Sequence, residues 1–231
     1  MSVRRRWPPA RRSSRVDWWH GRPVADPYRW LERLDSPATQ RWLAAQHAQW
    51  AAWRLVSRSR PWLERRIGEL WALPRRSVPL ECGGRYFMLE QGRAWPRPVL
   101  TVRERWDQSG RVVLDPGTID PQATLSGLAI DPMGELVAYS LSFAGSDWQE
   151  WRVRRVADGV DLPDRCPWSK NSGASWTHDG RGFFYLGYPP PLDPQAPARA
   201  PSLRYHRLGT APADDVVIRA QPDQPAWGFD G

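Results

Sequence analysis

The sequence predicts a mainly β fold with N-terminal α-helices, in which a partial β-propeller follows a helical segment. A hairpin unit occurs twice, over residues 126–139 and again over residues 172–185, 46 residues later. Apolar residues alternate with a period of two from about Gly83 onward, whereas residues 26–73 show helical spacing. A hairpin that returns every ~40–50 residues is typical of a propeller blade, which must stack on neighbours to bury its faces.

The two copies of the hairpin unit match in register. The matching pairs are Ser126 with Ser172, Gly127 with Gly173, Gly134 with Gly180, and Tyr139 with Tyr185. In the second copy His178, Asp179 and Gly180 form the predicted turn, where glycine can adopt the positive φ that closes a hairpin. A weaker copy surrounds Gly84, so the unit is predicted to occur three times.

Residues 1–20 are predicted to be a disordered basic arm. Six arginines and no acidic residue lie within residues 1–15, which leaves 27 basic against 25 acidic residues in the rest of the chain. Most of the formal net charge of +8 therefore belongs to the arm. The arm could contact phosphates, although we favour a vestigial leader, and the near-neutral remainder disfavours nucleic acid as a partner.

Residues 21–75 are predicted to be a helical segment. Asp26 and Ser36 each precede a proline, which is the pattern of a capped helix start. A third helix opens at Pro61 and ends before Pro74. Because tryptophans and leucines follow the helical stripes, we expect these helices to lie against a large surface.

Residues 76–231 are predicted to form the propeller. The candidate strands are residues 85–90, 99–104, 127–131, 136–141, 148–156, 174–177, 182–186, 203–208 and 216–219. At about 45 residues a blade they make about three blades, whereas propellers close with roughly four to eight. The sequence therefore predicts an incomplete ring, with a Pro- and Ala-rich surface loop at residues 189–201.

The sequence contains no nucleophile elbow, P-loop, H-E-x-x-H motif or EF-hand loop. Ser175 has the surroundings nearest to a nucleophile elbow, but the closing glycine is missing and a strand is predicted there. We therefore predict no catalytic residue, no metal and no cofactor, and free thiols at Cys82 and Cys166. No apolar run reaches the ~18–20 residues of a membrane span and no signal peptide is present, so we predict no membrane partner and a cytoplasmic location.

The chain resembles the N-terminal part of the prolyl oligopeptidases over about residues 24–229. The segments that carry the resemblance are D-P-Y-R-W-L-E at 26–32, G-R-Y-F at 84–87, V-V-L-D-P at 112–116, G-S-D-W at 145–148, residues 176–185, Y-H-R-L-G-T at 205–210, and P-D-Q-P at 222–225 followed by Trp227. They occur in the order and at the spacing of that family, and the ordered set is specific to it.

The resemblance implies a serine peptidase that cleaves short peptides after proline. A seven-bladed propeller would cap an α/β-hydrolase domain, on which the N-terminal helices would pack, and the catalytic triad would lie in the C-terminal half. The chain is then predicted to be an N-terminal fragment that is inactive alone. Its partners would be short proline-containing peptides, bound by the complete enzyme, and a separate C-terminal hydrolase half.

Three substrate-binding residues are predicted. Asp147 and Trp148 lie at a loop-to-strand junction, where a local turn with a packed tryptophan would explain them equally well. By resemblance they match a family pair that faces the active site, in which the aspartate places a substrate-binding arginine. Asn171 occupies the position of a family aromatic residue that contributes to a substrate subsite. Residues 93–98 also depart from the family pattern.

Two other function classes stay open. The chain would be a stand-alone propeller-like module for peptides or proteins, or a basic, Trp-rich nucleic-acid binder. The incomplete blade count favours the peptidase fragment over the stand-alone module. The near-neutral charge beyond residue 15 disfavours the nucleic-acid binder.

Overall fold

The computed structural model describes residues 7–191, 199–225 and 227. The chain divides into two compact units, Met1–Leu70 and Trp71–Gly231. The described residues leave out part of the predicted arm, most of the Pro-rich loop and the chain end after residue 227. Among the described residues, no helix combines the length and the apolar character that a bilayer crossing requires.

The first unit begins with a β-hairpin, which corrects the predicted arm. Strands β1 (Val16–Trp19) and β2 (Arg22–Ala25) pair in an antiparallel register. His20 and Gly21 join them with φ of 51° and 75°, the two positive values that a tight hairpin turn favours. The arginine content predicted disorder over residues 1–20, but residues 16–19 form strand β1 and pair with β2.

Two helices follow in the first unit. The predicted helix at Asp26 is wrong, because only a single 3-10 turn forms, at Arg29–Glu32. Helix α1 (Pro37–Leu55) begins as predicted, with the Ser36 hydroxyl accepting a 3.2 Å hydrogen bond from the Thr39 amide. Helix α2 (Arg60–Trp71) also begins where predicted.

The second unit opens with a five-stranded antiparallel sheet, the first blade. Its strands are β3 (Arg75–Arg76), β4 (Leu80–Cys82), β5 (Arg85–Gln91), β6 (Val99–Arg103) and β7 (Arg111–Leu114). Strands β3 and β4 both pair with β5, so four strand positions are filled. The short strands β3, β4 and β7 were not predicted.

A short helix, α3 (Pro116–Ile119), leads into a seven-stranded antiparallel sheet. Its strands are β8 (Ala123–Ile130), β9 (Leu136–Phe143), β10 (Trp148–Arg155), β11 (Asp161–Trp176), β12 (Gly182–Gly187), β13 (Ser202–Arg207) and β14 (Val216–Ala220). Each strand pairs with its neighbours in the sequence.

The long strand β11 belongs to two blades. Its first part pairs with β10 up to Lys170, and its last part pairs with β12 from Ala174 onward. The second blade is therefore β8, β9, β10 and the start of β11, and the third blade is the end of β11 with β12, β13 and β14. Together with the first blade these confirm the predicted partial propeller, and the sheets do not close into a ring within the described residues.

The core lies between the blades. In β9, Val137, Tyr139 and Leu141 face a cluster shared with Phe87 and Leu114 of the first blade. Ala138 faces the opposite cluster. That second cluster contains Ala138, Trp151, Val153, Cys166, Phe183 and Tyr185. Because β9 is buried on both sides, the second blade is a packed middle layer.

The sequence repeat corresponds to two matched hairpins. Gly134 and Gly180 close the β8–β9 and β11–β12 turns, with φ of 67° and 65°. Their amides donate to equivalent carbonyls, those of Asp131 and Thr177, each at 3.0 Å. The prediction that a glycine with positive φ closes the second copy is therefore confirmed, and the first copy closes in the same way.

Candidate functional site

Asp147 and Trp148 lie where the turn after β9 enters β10. Ala144 and Gly145 reverse the chain with φ of 51° and 76°. The Ser146 amide donates to the Phe143 carbonyl at 2.9 Å, and the Trp148 amide donates to the Ser146 hydroxyl at 3.1 Å. This local bonding fixes Trp148 at the start of the strand and leaves the Asp147 side chain 68% exposed.

Lys170, the chain's single lysine, connects the two residues. It is the register partner of Trp148 across β10 and β11. Its Nζ lies 3.2 Å from Asp147 Oδ2 and 5.6 Å from the centroid of the Trp148 ring. An ion pair this exposed contributes only about 0–1 kcal/mol to stability, so its main effect is to orient the two side chains.

Two further rings pack against Trp148, and together the three form the aromatic rim: Trp148, Trp168 and Tyr188. The centroid of Trp148 lies 5.7 Å from that of Trp168 and 5.6 Å from that of Tyr188, with interplanar angles of 85° and 87°. Both contacts are the edge-to-face geometry that aromatic quadrupoles favour. All three rings are half-buried, and burial raises the pKa of the Tyr188 hydroxyl.

The backbone of β11 is irregular beside the aromatic rim. Trp168 and Asn171 both adopt left-handed conformations, with φ of 59° and 48°. The register with β12 is interrupted between Ser169 and Ala174. Left-handed conformation is common for asparagine but rare for tryptophan, and irregularities of this kind turn side chains toward functional sites.

The structure brings two of the three predicted site residues together. Asp147 and Trp148 share Lys170, whereas Asn171 lies one residue beyond Lys170 and is exposed. Trp168 and Lys170 were missed because the first part of β11 was not predicted as a strand. Without that strand, nothing in the sequence placed Lys170 opposite Trp148. Tyr188, directly after β12, was missed because its ring contacts Trp148, which is distant in sequence.

A second polar cluster surrounds His206 in the interior of the third blade. His206 Nδ1 lies 2.7 Å from Asp215 Oδ1, and Nε2 lies 3.0 Å from Asp164 Oδ1. The Gly209 amide also donates to Asp164, and the Tyr185 hydroxyl donates to Asp215 Oδ2, each at 2.6 Å. Burial of the ring opposes its charged form, but the hydrogen bonds to Asp215 and Asp164 outweigh this and raise the pKa of His206.

This cluster is a structural network and not a metal centre. Donor atoms of Cys166, His206 and Asp215 lie within 4.8 Å of one another. However, both ring nitrogens of His206 bond to carboxylates, so a protonated ring has no lone pair for a metal. Burial also raises the pKa of the Cys166 thiol far above its ordinary value, which disfavours the thiolate that metals bind.

Cys166 lies within 4.8 Å of His206, but burial raises the pKa of its thiol and so disfavours the nucleophilic thiolate. Ser175 is a strand residue, paired with Phe184 in the β11–β12 register. Within residues 7–191, 199–225 and 227, no hydrogen bond joins a serine to a histidine, and His206 is enclosed by carboxylates. The half-buried aromatic rim with its lysine–aspartate pair is therefore taken as the candidate ligand surface.

Stacked four-stranded blades, with a half-buried aromatic rim at one loop end, define a propeller domain with a candidate ligand site. The chain belongs to the prolyl oligopeptidase family. The sequence profile described as "Prolyl oligopeptidase, N-terminal beta-propeller domain" matches residues 8–231.

Individual relatives agree with this assignment. The chain is 29% identical to the dual function macrocyclase-peptidase POPB of Amanita bisporigera, over 96% of this chain and 34% of that protein. It is 28% identical to a prolyl endopeptidase of Elizabethkingia miricola, over 92% of this chain and 31% of that protein. The chain thus spans about a third of the length of the curated relatives it matches.

Solved structures show the same fold. A structure from a study of two prolyl endopeptidases superimposes with a TM-score of 0.83 at 30% identity, over 94% of this chain and 33% of that one. Prolyl oligopeptidase B from Galerina marginata, bound to a 25mer macrocyclization substrate, superimposes with a TM-score of 0.83 at 25% identity, over 95% of this chain and 34% of that one.

Proposed function

We propose that this chain is the propeller part of a serine endopeptidase that cleaves short peptides after proline. Its role is to bind the peptide, and it is inactive alone. The observation that carries the proposal is the aromatic rim beside the exposed carboxylate of Asp147. Membership of the prolyl oligopeptidase family supports the substrate class.

The aromatic rim suits a proline-containing peptide for physical reasons. The ring of proline is compact and apolar, and it loses no side-chain entropy when it packs on an aromatic face. Edge-to-face packing leaves part of each ring uncovered, and the three rings remain half-buried. A peptide that covers this surface removes apolar area from water, which contributes about 25 cal/mol for each Å².

The lysine–aspartate pair would orient the peptide or a catalytic partner. Lys170 Nζ lies 3.2 Å from Asp147 Oδ2, while the Asp147 side chain stays largely exposed. A carboxylate has about four acceptor sites, so Asp147 can accept a further bond from an arginine. By family resemblance, that arginine would come from the hydrolase half and contact the substrate.

The first unit supplies a surface for such a hydrolase half. Its helices expose several large apolar side chains, namely Trp50, Trp53, Trp62, Leu63, Ile67 and Leu70. Exposed apolar surface of this extent marks an interaction site. The partner we propose is a hydrolase polypeptide that carries the serine, the histidine and the orienting carboxylate.

The proposal is tested with the purified chain and the capped peptide Ala-Ala-Pro-Ala. We expect chemical-shift changes or calorimetric heat on binding, and no cleavage. Trp148→Ala should weaken binding about tenfold, the upper range for one aromatic contact. Trp106→Ala is the matched control, because Trp106 is 64% exposed in the loop between β6 and β7.

Two outcomes would contradict the proposal. Cleavage that a serine-directed inhibitor abolishes would show that the chain carries its own catalytic group. Equal binding by wild type and Trp148→Ala would remove the aromatic rim as the peptide site. If a supplied hydrolase half restores no cleavage although peptide binds, the stand-alone binding module becomes the better explanation.

A further inference from the structure

Trp168 occupies a place that regular strand geometry would not give it. In the first part of β11, Asp164 and Cys166 point into the core and are 4% and 0% exposed. Alternation with a period of two would therefore bury residue 168 next. Instead Ser169 takes the interior place, at 0% exposure, and Trp168 is half-buried at the surface.

The exchange is caused by a one-residue bulge. Gln149 pairs with Ser169 and Trp151 pairs with Cys166, so two residues of β11 stand opposite Glu150 alone. Trp168 is one of these two, and it adopts the left-handed φ of 59°. A bulge shifts the alternation by one residue and turns the side chain at that point to the other face.

Both sides of the bulge are held by specific bonds. The Ser169 hydroxyl donates to the Leu186 carbonyl at 2.7 Å and accepts from Trp151 Nε1 at 3.2 Å. The Trp168 carbonyl accepts from the Tyr188 amide at 2.8 Å. A left-handed tryptophan costs about 1–3 kcal/mol, so it persists only where the surroundings fix it in this way.

We propose that Trp168 is a specificity-determining residue, which selects peptides with a bulky apolar side chain next to the proline. This inference rests on the proposed peptide-binding function. The bulge moves a large aromatic ring from a potential core position to the half-buried rim beside Trp148, where it gains edge-to-face contact. Its uncovered surface then forms an apolar wall for a neighbouring side chain of the peptide.

Asn171 does not supply such a wall. Its side chain is exposed and polar, and it lies beyond Lys170 along β11. Asn171 lies where the register between β11 and β12 is interrupted, and its backbone is also left-handed. Of these two left-handed residues, only Trp168 brings aromatic surface to the rim, so the apolar preference is assigned to it.

The test compares two capped peptides, Ala-Phe-Pro-Ala and Ala-Ala-Pro-Ala, by calorimetry on the full chain. Wild type should bind the Phe peptide about two- to twelvefold more tightly, the range that one aromatic contact gives. Trp168→Asn, which tolerates the left-handed backbone, should bind both peptides equally. Trp168→Phe should keep the preference, and so should the control Trp106→Ala, which lies in the loop between β6 and β7.

The outcomes separate this inference from the proposed function. If Trp168→Asn keeps the wild-type preference, the inference is wrong and the peptide-binding function stands. If wild type binds neither peptide, both are wrong. Thermal melts exclude unfolding as the cause of a lost preference. If Trp168→Asn does not fold, equal binding of both peptides by Trp168→Phe would overturn the inference.

Discussion

Tyr139 and Tyr185 hold the same position in the two copies of the hairpin repeat, and each donates its hydroxyl to an aspartate. Tyr139 donates to Asp161 at 2.9 Å, and Tyr185 donates to Asp215 at 2.6 Å. Each aspartate also contacts a basic side chain. In both blades this side chain is on the strand that lies between the tyrosine and its aspartate along the chain. That side chain is Arg154 in the second blade, with Nε 2.6 Å from Asp161, and His206 in the third.

The correspondence extends to the strand register. Tyr139 pairs with Arg152, two residues before Arg154, and Tyr185 pairs with Arg204, two residues before His206. The repeat therefore places a cation at one position in both blades. In one blade the cation is an arginine, which is always charged, and in the other it is a histidine, whose charge depends on pH.

The first prediction is that stability falls as the pH rises through the pKa of His206. In the folded state that pKa lies above the unfolded value of about 6.5, because the bonds to Asp215 and Asp164 outweigh burial. The contribution is therefore complete below about pH 6.5 and is lost as the folded-state pKa is passed. Urea melts at several pH values measure it.

The groups around the ring define the controls for this pH dependence. Asp164 and Asp215 contact the ring, the Tyr185 hydroxyl contacts Asp215, and Cys166 lies beside the cluster. Burial raises the pKa values of both Tyr185 and Cys166, so neither titrates near neutral pH. His206→Gln should flatten the curve between pH 6 and pH 8, whereas a curve like that of wild type would contradict the assignment.

The second prediction concerns the two tyrosine hydroxyls. Tyr139→Phe and Tyr185→Phe each remove one buried hydrogen bond to a carboxylate and should destabilise the chain by about 1.5–3 kcal/mol. The two rings lie in different core clusters, so the double variant should be additive within about 0.5 kcal/mol. Chemical denaturation measures both. A large coupling energy would show that the two networks are connected.

Tyr139 also has a spectroscopic signature. Burial of the ring and the nearby Asp161 carboxylate raise the pKa of Tyr139 to about 12. Absorbance titration of wild type and Tyr139→Phe should therefore differ by one tyrosine that ionises late. If the difference appears near pH 10, the buried bond to Asp161 is absent in solution.

The third prediction uses the matched glycines of the repeat. A Cβ at Gly127 would lie 2.5 Å from Trp151 Cη2 and 2.7 Å from Ser140 Oγ, whereas one at Gly173 meets nothing within 4 Å. Gly127→Ala should therefore destabilise by about 1–3 kcal/mol through overpacking. Gly173→Ala is the control and should change stability by about 0.5 kcal/mol or less. Equal effects in thermal melts would contradict the close packing at Gly127.

The fourth prediction concerns the ion pair in the first blade. Arg103 has a side chain only 2% exposed, and its Nη2 lies 2.6 Å from Glu90 Oε1. Glu90→Ala would leave a buried guanidinium without its carboxylate, which costs about 3–5 kcal/mol. Glu104→Ala, at an exposed neighbouring position, should change stability by about 0.5 kcal/mol or less. Urea melts measure the free energy of unfolding, and the values for the two variants should differ by most of the about 3–5 kcal/mol expected for Glu90→Ala.

Local sequence signals predicted the regular parts of the fold. Ser36 and the following proline predicted the start of α1, and Gly134 and Gly180 predicted the turns of the two hairpins. These signals work because a cap or a turn depends on a few adjacent residues. The β1–β2 hairpin was not predicted because the arginines of residues 1–15 indicate disorder, whereas the turn signal at His20 and Gly21 is only two residues long.

The candidate site was predictable only in part. Asp147 and Trp148 stand in one short motif, so a local reading found them. Trp168 and Lys170 depend on the first part of β11, where Pro163 and Pro167 argue against a strand because proline has no amide to donate. A bulge and a partner strand distant in sequence determine where these side chains lie, and neither leaves a periodic signal.

The bulge at Trp168 adds one residue to β11. The residues before it and after it follow opposite alternation, so Cys166 and Ser169 both face the core although three positions separate them. Deleting one residue of the bulge would restore regular alternation and leave both parts of the strand on their present faces, whereas a deletion within a regular part of the strand would turn the residues beyond it to the other face. The bulge can therefore lose a residue while the blades on both sides keep their inward faces.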